Sequence, residues 1–151
     1  KKLNAKLILE KTFTRKHKLG TLNRTTKEYE VDITAYGNAL KKEIAAAKKA
    51  KKSLVIDGHV ACELKLPVDR VLVLTCPPNE LEKRLRARKY PEVKILDNVW
   101  AEENQYCLVH VRKNYVARKI WVVSTHTPKK VIRTRVWSQV TRTQGDSRAA
   151  H

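Results

Sequence analysis

Three short apolar runs, separated by segments with helical periodicity, constrain the fold of this chain more than any other feature. The runs are SLVID at 53–57, VDRVLVLT at 68–75 and KIWVVS at 119–124. Apolar runs of about four to eight residues bounded by glycine or proline are typical of buried strands. Strands that lack a polar face and alternate with helices belong to a parallel sheet covered on both sides. The sequence therefore predicts an α/β fold in which helices flank a parallel sheet.

The segments around these runs carry helix signals. Asp32 is a candidate N-cap for a helix from about Ile33 to Lys52, with alanines and leucines on one side and lysines on the other. Residues 79–89 read NELEKRLRARK; Asn79 is the candidate N-cap, and acids in the first turn and cations near the end suit the helix dipole. Further helices are predicted at about 91–114 and from 128 to about 140.

The remaining segments complete the predicted domain organisation. Residues 1–18 predict a short strand or turn that leads into a helix, and residues 20–30 predict a polar, turn-rich connection. No repeat or linker divides the chain. Residues 1–140 are therefore predicted to form one domain, and residues 141–151 a flexible basic tail.

The net charge is the second strong feature of the sequence. Lysine and arginine number 33 against 15 aspartates and glutamates, which leaves a formal charge of +18. Such an excess repels itself in a compact monomer, so a polyanionic partner is expected. No stretch approaches the roughly 18 apolar residues of a membrane span, and no secretory signal is recognised. These features favour a cytoplasmic protein that binds nucleic acid, without a membrane partner and without homo-oligomers.

Cations in three parts of the chain are the candidate RNA contacts. A run of like charge is by default a solvated surface, but almost no acids lie near the lysines at 48–52 to balance them. The cations at 11–18 have an aromatic residue among them, and those from 129 onward lie on a helix and tail that could follow RNA. Lysine and arginine in that setting favour contact with RNA phosphates. The candidates are Lys11, Arg15, Lys16, Lys18, Lys48, Lys49, Lys51, Lys52, Lys129, Lys130, Arg133, Arg135 and Arg142.

The cysteines give a weaker signal. Cys62, Cys76 and Cys107 are odd in number and widely spaced, with no CxxC pair and no histidine at metal-ligand spacing. This pattern predicts buried, reduced thiols and no metal site.

The first apolar run ends in a group of residues that carries chemistry. Residues 55–59 read VIDGH, so an apolar strand ends in an acid, a glycine and a histidine. In P-loop proteins an acid at this strand end holds magnesium through water, beside the nucleotide phosphates. Taken alone, Asp57-Gly58 is a weak signal, because a simple turn explains it equally well.

The residues that follow strengthen the signal. After DGH come LPVD at 66–69, a strand ending in Cys76, ELEKRLRAR at 80–88 and NVWAE at 98–102. This succession resembles the adenylate kinase isoenzyme-six family over about residues 2–140, most specifically over 55–102. Members of that family are nucleotide kinases and NTPases that also take part in maturing the small ribosomal subunit.

The resemblance implies a P-loop kinase fold and assigns roles to matching positions. Asp57 matches the family's magnesium-side acid, and His59 matches the adjacent histidine. Arg84 and Arg88 match phosphate-contacting arginines on the helix that leads to the lid, which Asn98, Val99 and Glu102 would continue.

The sequence also departs from the family pattern. It contains four glycines and no Gly-Lys-Ser or Gly-Lys-Thr, and Lys1 aligns just after the family's first helix, so the first strand–P-loop–helix unit is not in this sequence. The acidic nucleoside-monophosphate stretch reads GTLNRTTKE at 20–28, and the family's Arg-Gly-Tyr reads RKY at 88–90. Trp100 replaces an acid, and STHT at 124–127 replaces the adenine-side motif. These changes remove glycines or acids, and several add a cation.

Two functional hypotheses follow. The leading hypothesis is a catalytically degenerate, adenylate-kinase-like protein that is not an enzyme and takes no cofactor. It would bind rRNA and neighbouring ribosomal proteins, by analogy in the small subunit, with Asp57, His59, Arg84 and Arg88 as vestiges of the ancestral site. The alternative is an active adenylate kinase or ATPase of small-subunit assembly that uses ATP and Mg²⁺, with a P-loop that precedes Lys1.

Overall fold

The chain forms two compact units, which are described separately. The structure, a computed structural model, describes residues 4–25 and 28–146, with side chains as far as residue 140. Unit 1 comprises Lys1–Arg70 and Cys107–Lys119, and unit 2 comprises Val71–Tyr106 and Ile120–His151. Each unit contains a pair of parallel strands together with helices, which confirms the predicted α/β class. None of the described helices is both long and apolar enough to cross a membrane.

Unit 1 is built on two parallel strands whose ends lie level. Strand β1 pairs with β4 in a register that runs from Ala5 opposite Ser53 to Leu9 opposite Asp57. The carboxyl ends of both strands therefore meet at one edge, where ligands bind in open α/β sheets. The first elements of unit 1 are β1 (Ala5–Leu9), α1 (Glu10–Lys16), β2 (Gly20–Leu22), β3 (Tyr29–Val31), α2 (Ile33–Lys49), β4 (Ser53–Asp57) and a 3₁₀ turn (Val60–Glu63). Helix α5 (Tyr106–Asn114) and a second 3₁₀ turn (Ala117–Lys119) follow later in the chain.

Helix α2 supplies most of the core of unit 1. Its predicted cap is confirmed, because the Asp32 carboxylate accepts a hydrogen bond of 2.9 Å from the Ala35 amide. Tyr36, Leu40 and Ile44, spaced by four residues, lie on one face and are buried with residues of β1 and of the loop after β4. The helix ends at Lys49, earlier than predicted, and the chain turns through Lys51 in a left-handed conformation.

The hairpin of β2 and β3 was not predicted. The two strands pair antiparallel from Gly20 opposite Val31 to Leu22 opposite Tyr29. Each strand is three residues long and the segment between them is polar, so no alternation of apolar and polar residues marks it in the sequence.

Unit 2 is a second parallel pair with three helices. Strands β5 and β6 pair from Val71 opposite Ile120 to Thr75 opposite Ser124. Val73 and Val123 are buried on the strands, as are Leu85 and Ile95 on two of the helices. The elements of unit 2 are β5 (Val71–Thr75), α3 (Pro78–Ala87), α4 (Glu92–Glu103), β6 (Ile120–Ser124) and α6 (Lys129–Asp146).

Three predicted helix boundaries in this region are corrected. Helix α3 begins at Pro78 after Pro77, so Asn79 is its second residue and not its N-cap. The helix predicted over 91–114 is divided into α4 and α5, because Gln105 adopts a left-handed conformation with φ 48°. Helix α6 continues past its predicted end to Asp146, into the predicted tail, and residues 147–151 of that tail lie outside the described residues.

Candidate functional site

Two carboxylates mark the carboxyl edge of the strand pair in unit 1. Asp57 is the last residue of β4, and Glu10 follows the last residue of β1 directly. The Glu10 carboxylate accepts hydrogen bonds from the amides of Val60 and Ala61, at 3.3 Å and 3.1 Å. Glu10 therefore holds the turn after β4 in place, while the Asp57 side chain is exposed at the end of its strand.

Gly58 allows this close packing. A Cβ atom at Gly58 would lie 2.7 Å from the Cβ and 2.8 Å from the Cδ of Glu10, closer than side-chain carbons pack. Because Glu10 is anchored to two amides, it has little freedom to move away. The glycine of the DGH motif is thus required by the approach of Glu10.

The same edge carries a negative electrostatic field. Burial, followed by the negative charges of Glu10 and then Asp57, raises the pKa of the Tyr36 hydroxyl above its ordinary range. Tyr36 is fully buried on α2, so water screens its hydroxyl from these two carboxylates only weakly. A field of this sign favours a cation at the strand ends.

An open cleft of about 380 Å³ lies beside the hairpin of unit 1. The Arg15 guanidinium carbon lies 5.6 Å from the centroid of the Tyr29 ring, a cation–π distance. Cationic and aromatic groups together suit a ligand with an anionic group and a flat ring. The cleft is lined by Arg15, Lys18, Gly20, Leu22 and Tyr29.

Substitution of Gly20 tests the backbone on which this cleft is built. In Gly20→Ala the new Cβ would fall on the Glu30 carbonyl oxygen, at a backbone angle that L-residues rarely adopt. The carbonyl oxygen belongs to the backbone and cannot move aside as a flexible side chain could. We therefore expect the free energy of unfolding to fall by about 1–3 kcal/mol. Urea denaturation followed by circular dichroism measures this change.

Gly37→Ala is the matched control for that substitution. Its added Cβ would meet only the Leu64 side chain, at 3.1 Å, and alanine is favoured over glycine within a helix. We expect a change within about 1 kcal/mol. If Gly20→Ala is no more destabilising than Gly37→Ala, the backbone conflict at Gly20 does not exist.

A cluster of His59, Cys62 and Cys107 lies next to the DGH motif and was not predicted. The Cys62 amide donates to the His59 carbonyl oxygen at 3.2 Å, which closes a 3₁₀ turn and aligns the two side chains. The Cys107 sulfur, on α5, lies 3.4 Å from His59 Nδ1. The Cys62 and Cys107 thiols are close enough to shift each other's pKa. The His-x-x-Cys spacing at 59–62 was a sequence signal for this cluster, and the prediction that no histidine lies at such spacing overlooked it.

These contacts shift the pKa values of the two thiols in opposite directions. The neighbouring Cys62 thiol, followed by the contact with His59, lowers the pKa of the Cys107 thiol well below its ordinary range. The proximity of Cys107, together with burial, raises the pKa of Cys62. The hydrogen bond to Cys107 raises the pKa of His59. The three cysteines are free, as predicted, but are half-buried and not fully buried. Among the described residues no group of histidines, cysteines and acids is arranged to hold a metal ion.

The two arginines of the resemblance lie in unit 2 and differ in their contacts. Arg84 donates to the Thr125 carbonyl oxygen at 3.0 Å and to its Oγ1 at 3.3 Å, which ties α3 to the residue after β6. Arg88 is exposed at the C-terminus of α3. Lys89, where the family has glycine, adopts φ 56°, so the conformation that favours glycine is kept.

The cations proposed as RNA contacts are distributed over both units. All of them whose side chains the structure describes are exposed, and Lys48 donates to the Pro67 carbonyl oxygen at 2.7 Å. The side chain of Arg142 lies outside the described residues, although its backbone belongs to α6. In unit 1 the cations lie on or just after α1 and at or just after the end of α2, and in unit 2 they lie on α6.

Comparison with known proteins indicates the family. The AAA domain profile matches residues 10–107. A protein of Methanocaldococcus jannaschii named "Putative adenylate kinase" is 32% identical over 110 residues, 71% of this chain and 58% of that protein. The same name is given to a Pyrococcus furiosus protein, 34% identical over 67% of this chain and 51% of its own. A third, from Pyrobaculum aerophilum, is 41% identical over 40% of this chain and 31% of its own.

These findings overturn the leading hypothesis of an rRNA-binding structural protein of the ribosome. The relatives are named as nucleotide kinases, which agrees better with the alternative. The hypothesis was wrong because it took the positive charge as evidence for an RNA partner, whereas exposed cations also occur on ordinary solvated surfaces. The chain spans about half the length of the first two relatives. It belongs to the AAA domain family, and its relatives place it with the adenylate-kinase-like P-loop kinases.

Proposed function

We propose that this chain is part of a nucleotide kinase that transfers a phosphoryl group from ATP to a nucleoside monophosphate such as AMP. The observation that carries the proposal is the cationic cleft of unit 1. Two of its lining residues, Gly20 and Leu22, fall in the stretch at 20–28 that the family resemblance assigns to the nucleoside monophosphate. The names of the relatives support the same chemistry.

The cleft has the groups that a nucleoside monophosphate requires. Arg15 and Lys18 supply positive charge for the phosphate, and the planar guanidinium of Arg15 can bond two phosphate oxygens at once. The Tyr29 ring and the Leu22 side chain supply apolar surface for the base. Gly20 keeps this wall of the cleft free of a side chain.

The strand ends of unit 1 fit a magnesium ion that accompanies ATP. Asp57 is an exposed carboxylate at the end of β4, and Glu10 directly follows β1 at the same edge, so two carboxylates lie at these strand ends. Magnesium in such sites keeps several waters and is held by one or two carboxylates together with phosphates. Asp57 would therefore hold it through water, and the ion would neutralise charge on the transferred phosphoryl group. Glu10 is occupied by two amides and acts to position the turn.

Titration of AMP onto the chain, followed by calorimetry, tests the proposal. We expect saturable binding that weakens about tenfold in Arg15→Ala, since a charge-assisted bond contributes about 1.5–3 kcal/mol. Arg15→Lys should recover part of the affinity, because it keeps the charge but loses the planar fork.

The control removes a neighbouring charge that does not line the cleft. Lys16→Ala lowers the net charge by the same amount and lies on the same helix. We expect it to leave AMP affinity within about twofold, as exposed charges contribute little. Equal losses in Arg15→Ala and Lys16→Ala, or no saturable binding by the wild-type chain, would refute the assignment of the cleft.

A further inference from the structure

We propose that Cys107 and Cys62 form an oxidant-reactive pair, in which a hydroperoxide oxidises Cys107 and Cys62 then closes a disulfide with it. This modification site goes beyond nucleotide phosphorylation and does not depend on it. The pair lies within unit 1, on the turn that follows the DGH motif and on helix α5.

The backbone brings the pair together from distant parts of the chain. The 3₁₀ turn at Val60–Glu63 places Cys62 on the same side as His59, three residues earlier. His59 in turn contacts the Cys107 sulfur, with 3.4 Å between its Nδ1 atom and that sulfur, so Cys62 and Cys107 both lie beside the same imidazole. The turn is fixed by Glu10, and α5 is fixed by Tyr115, whose hydroxyl donates to the Leu64 carbonyl oxygen at 2.7 Å.

The environment assigns different roles to the two sulfurs. The neighbouring Cys62 thiol and then His59, whose Nδ1 lies 3.4 Å from the Cys107 sulfur, lower the pKa of Cys107, so its thiolate is stabilised. The thiolate is the form of cysteine that attacks peroxides. Cys62 is held as the protonated neighbour, which suits a resolving thiol. Both sulfurs are half-buried and so remain open to a small oxidant.

The reaction balances in two steps. The Cys107 thiolate attacks one oxygen of the hydroperoxide, the O–O bond breaks, and the products are a sulfenic acid on Cys107 and an alcohol, or water from hydrogen peroxide, once the leaving oxygen has taken a proton. The Cys62 sulfur then attacks the sulfenic sulfur. The S–O bond breaks, water leaves with the Cys62 proton, and an S–S bond forms. The two thiols lose two electrons in total, and the hydroperoxide gains them.

Peptide mass spectrometry after brief treatment with hydrogen peroxide tests this inference. The whole chain is oxidised, its remaining thiols are alkylated in denaturant, and the peptides are identified. We expect a Cys62–Cys107 disulfide within one chain, with Cys76 recovered as the alkylated thiol. Cys76 is the internal reference because it is also half-buried but directly follows β5 in unit 2.

Variants separate the two roles. In Cys62→Ser the reaction should stop at a sulfenic acid on Cys107, which dimedone traps, and in Cys107→Ser the Cys62 thiol should react at least tenfold more slowly. Cys76→Ser should leave the Cys62–Cys107 disulfide and its rate unchanged. Circular dichroism confirms that each variant is folded.

Two outcomes would overturn the inference. One is oxidation of Cys76 as fast as Cys107 in the wild-type chain, and the other is a disulfide that joins only separate chains. Because the readout is a covalent bond and not nucleotide turnover, failure here leaves the kinase proposal intact, and failure of AMP binding leaves this pair intact.

Discussion

Replacing Leu40 by alanine is expected to lower the free energy of unfolding by about 2–5 kcal/mol. Leu40 has no exposed surface and lies in the buried cluster of unit 1 with Ile8, Tyr36, Ile44 and Leu66. Truncation removes apolar contacts and leaves a cavity that this packed cluster can fill only in part. Urea denaturation of the whole chain, followed by circular dichroism, measures the loss.

The control for Leu40 lies on the same helix. Ile33 has a side chain of the same size but is 40% exposed at the start of α2. We expect Ile33→Ala to change the unfolding free energy by about 0.5 kcal/mol or less. If the two substitutions destabilise the chain equally, α2 does not present its Tyr36–Leu40–Ile44 face to the core as described.

Replacing Asp57 by asparagine is expected to lower phosphoryl transfer from ATP to AMP by about 10–100-fold. The amide keeps the shape of the side chain but removes the negative charge that would orient the waters of a magnesium ion. The assay is made on the protein expressed from its own gene. This prediction depends on the kinase function proposed above.

Two further measurements make the result on Asp57 specific. Asp57 is exposed, so Asp57→Asn should leave the unfolding free energy within about 0.5 kcal/mol of wild type. Asp69→Asn removes another exposed aspartate of unit 1 and should leave turnover unchanged. Full turnover by Asp57→Asn would show that this carboxylate has no part in the reaction.

The sequence predicted the strands and the main helix because their signals are local. SLVID at 53–57 is bounded by lysines and a glycine, and it forms β4 with the predicted limits. The Asp32 cap is set by residues within one turn, which is why the start of α2 could be read directly. The parallel arrangement followed from the apolar character of the strands, which tertiary packing did not override.

Other features depended on contacts that the sequence does not display. The hairpin of β2 and β3 has no apolar alternation, and its strands are held by pairing and by the ring of Tyr29. The break between α4 and α5 lies at Gln105, a residue type that gives no turn signal. Nothing local to the sequence distinguishes this point from a continuous helix.

The candidate site shows the same division between local and distant information. Asp57 could be named as a candidate because it ends a recognisable strand next to Gly58. The Cys62–Cys107 pair was missed because its members are far apart in sequence and meet only through the fold. The cations predicted as RNA contacts are exposed wherever their side chains are described, but exposure alone does not specify a partner.

The division of the chain at Gln105 bears on how the gene could be dissected. The residues from Cys107 to Lys119 belong to unit 1. There the Tyr115 hydroxyl accepts a hydrogen bond from the Leu66 amide, and Lys119 donates one to the Val68 carbonyl oxygen, each at 2.8 Å. A fragment truncated after Arg70 would lose these partners and leave backbone groups unpaired. Neither unit is encoded by one uninterrupted stretch, so recombination at a single crossover would not exchange one unit without damaging the other.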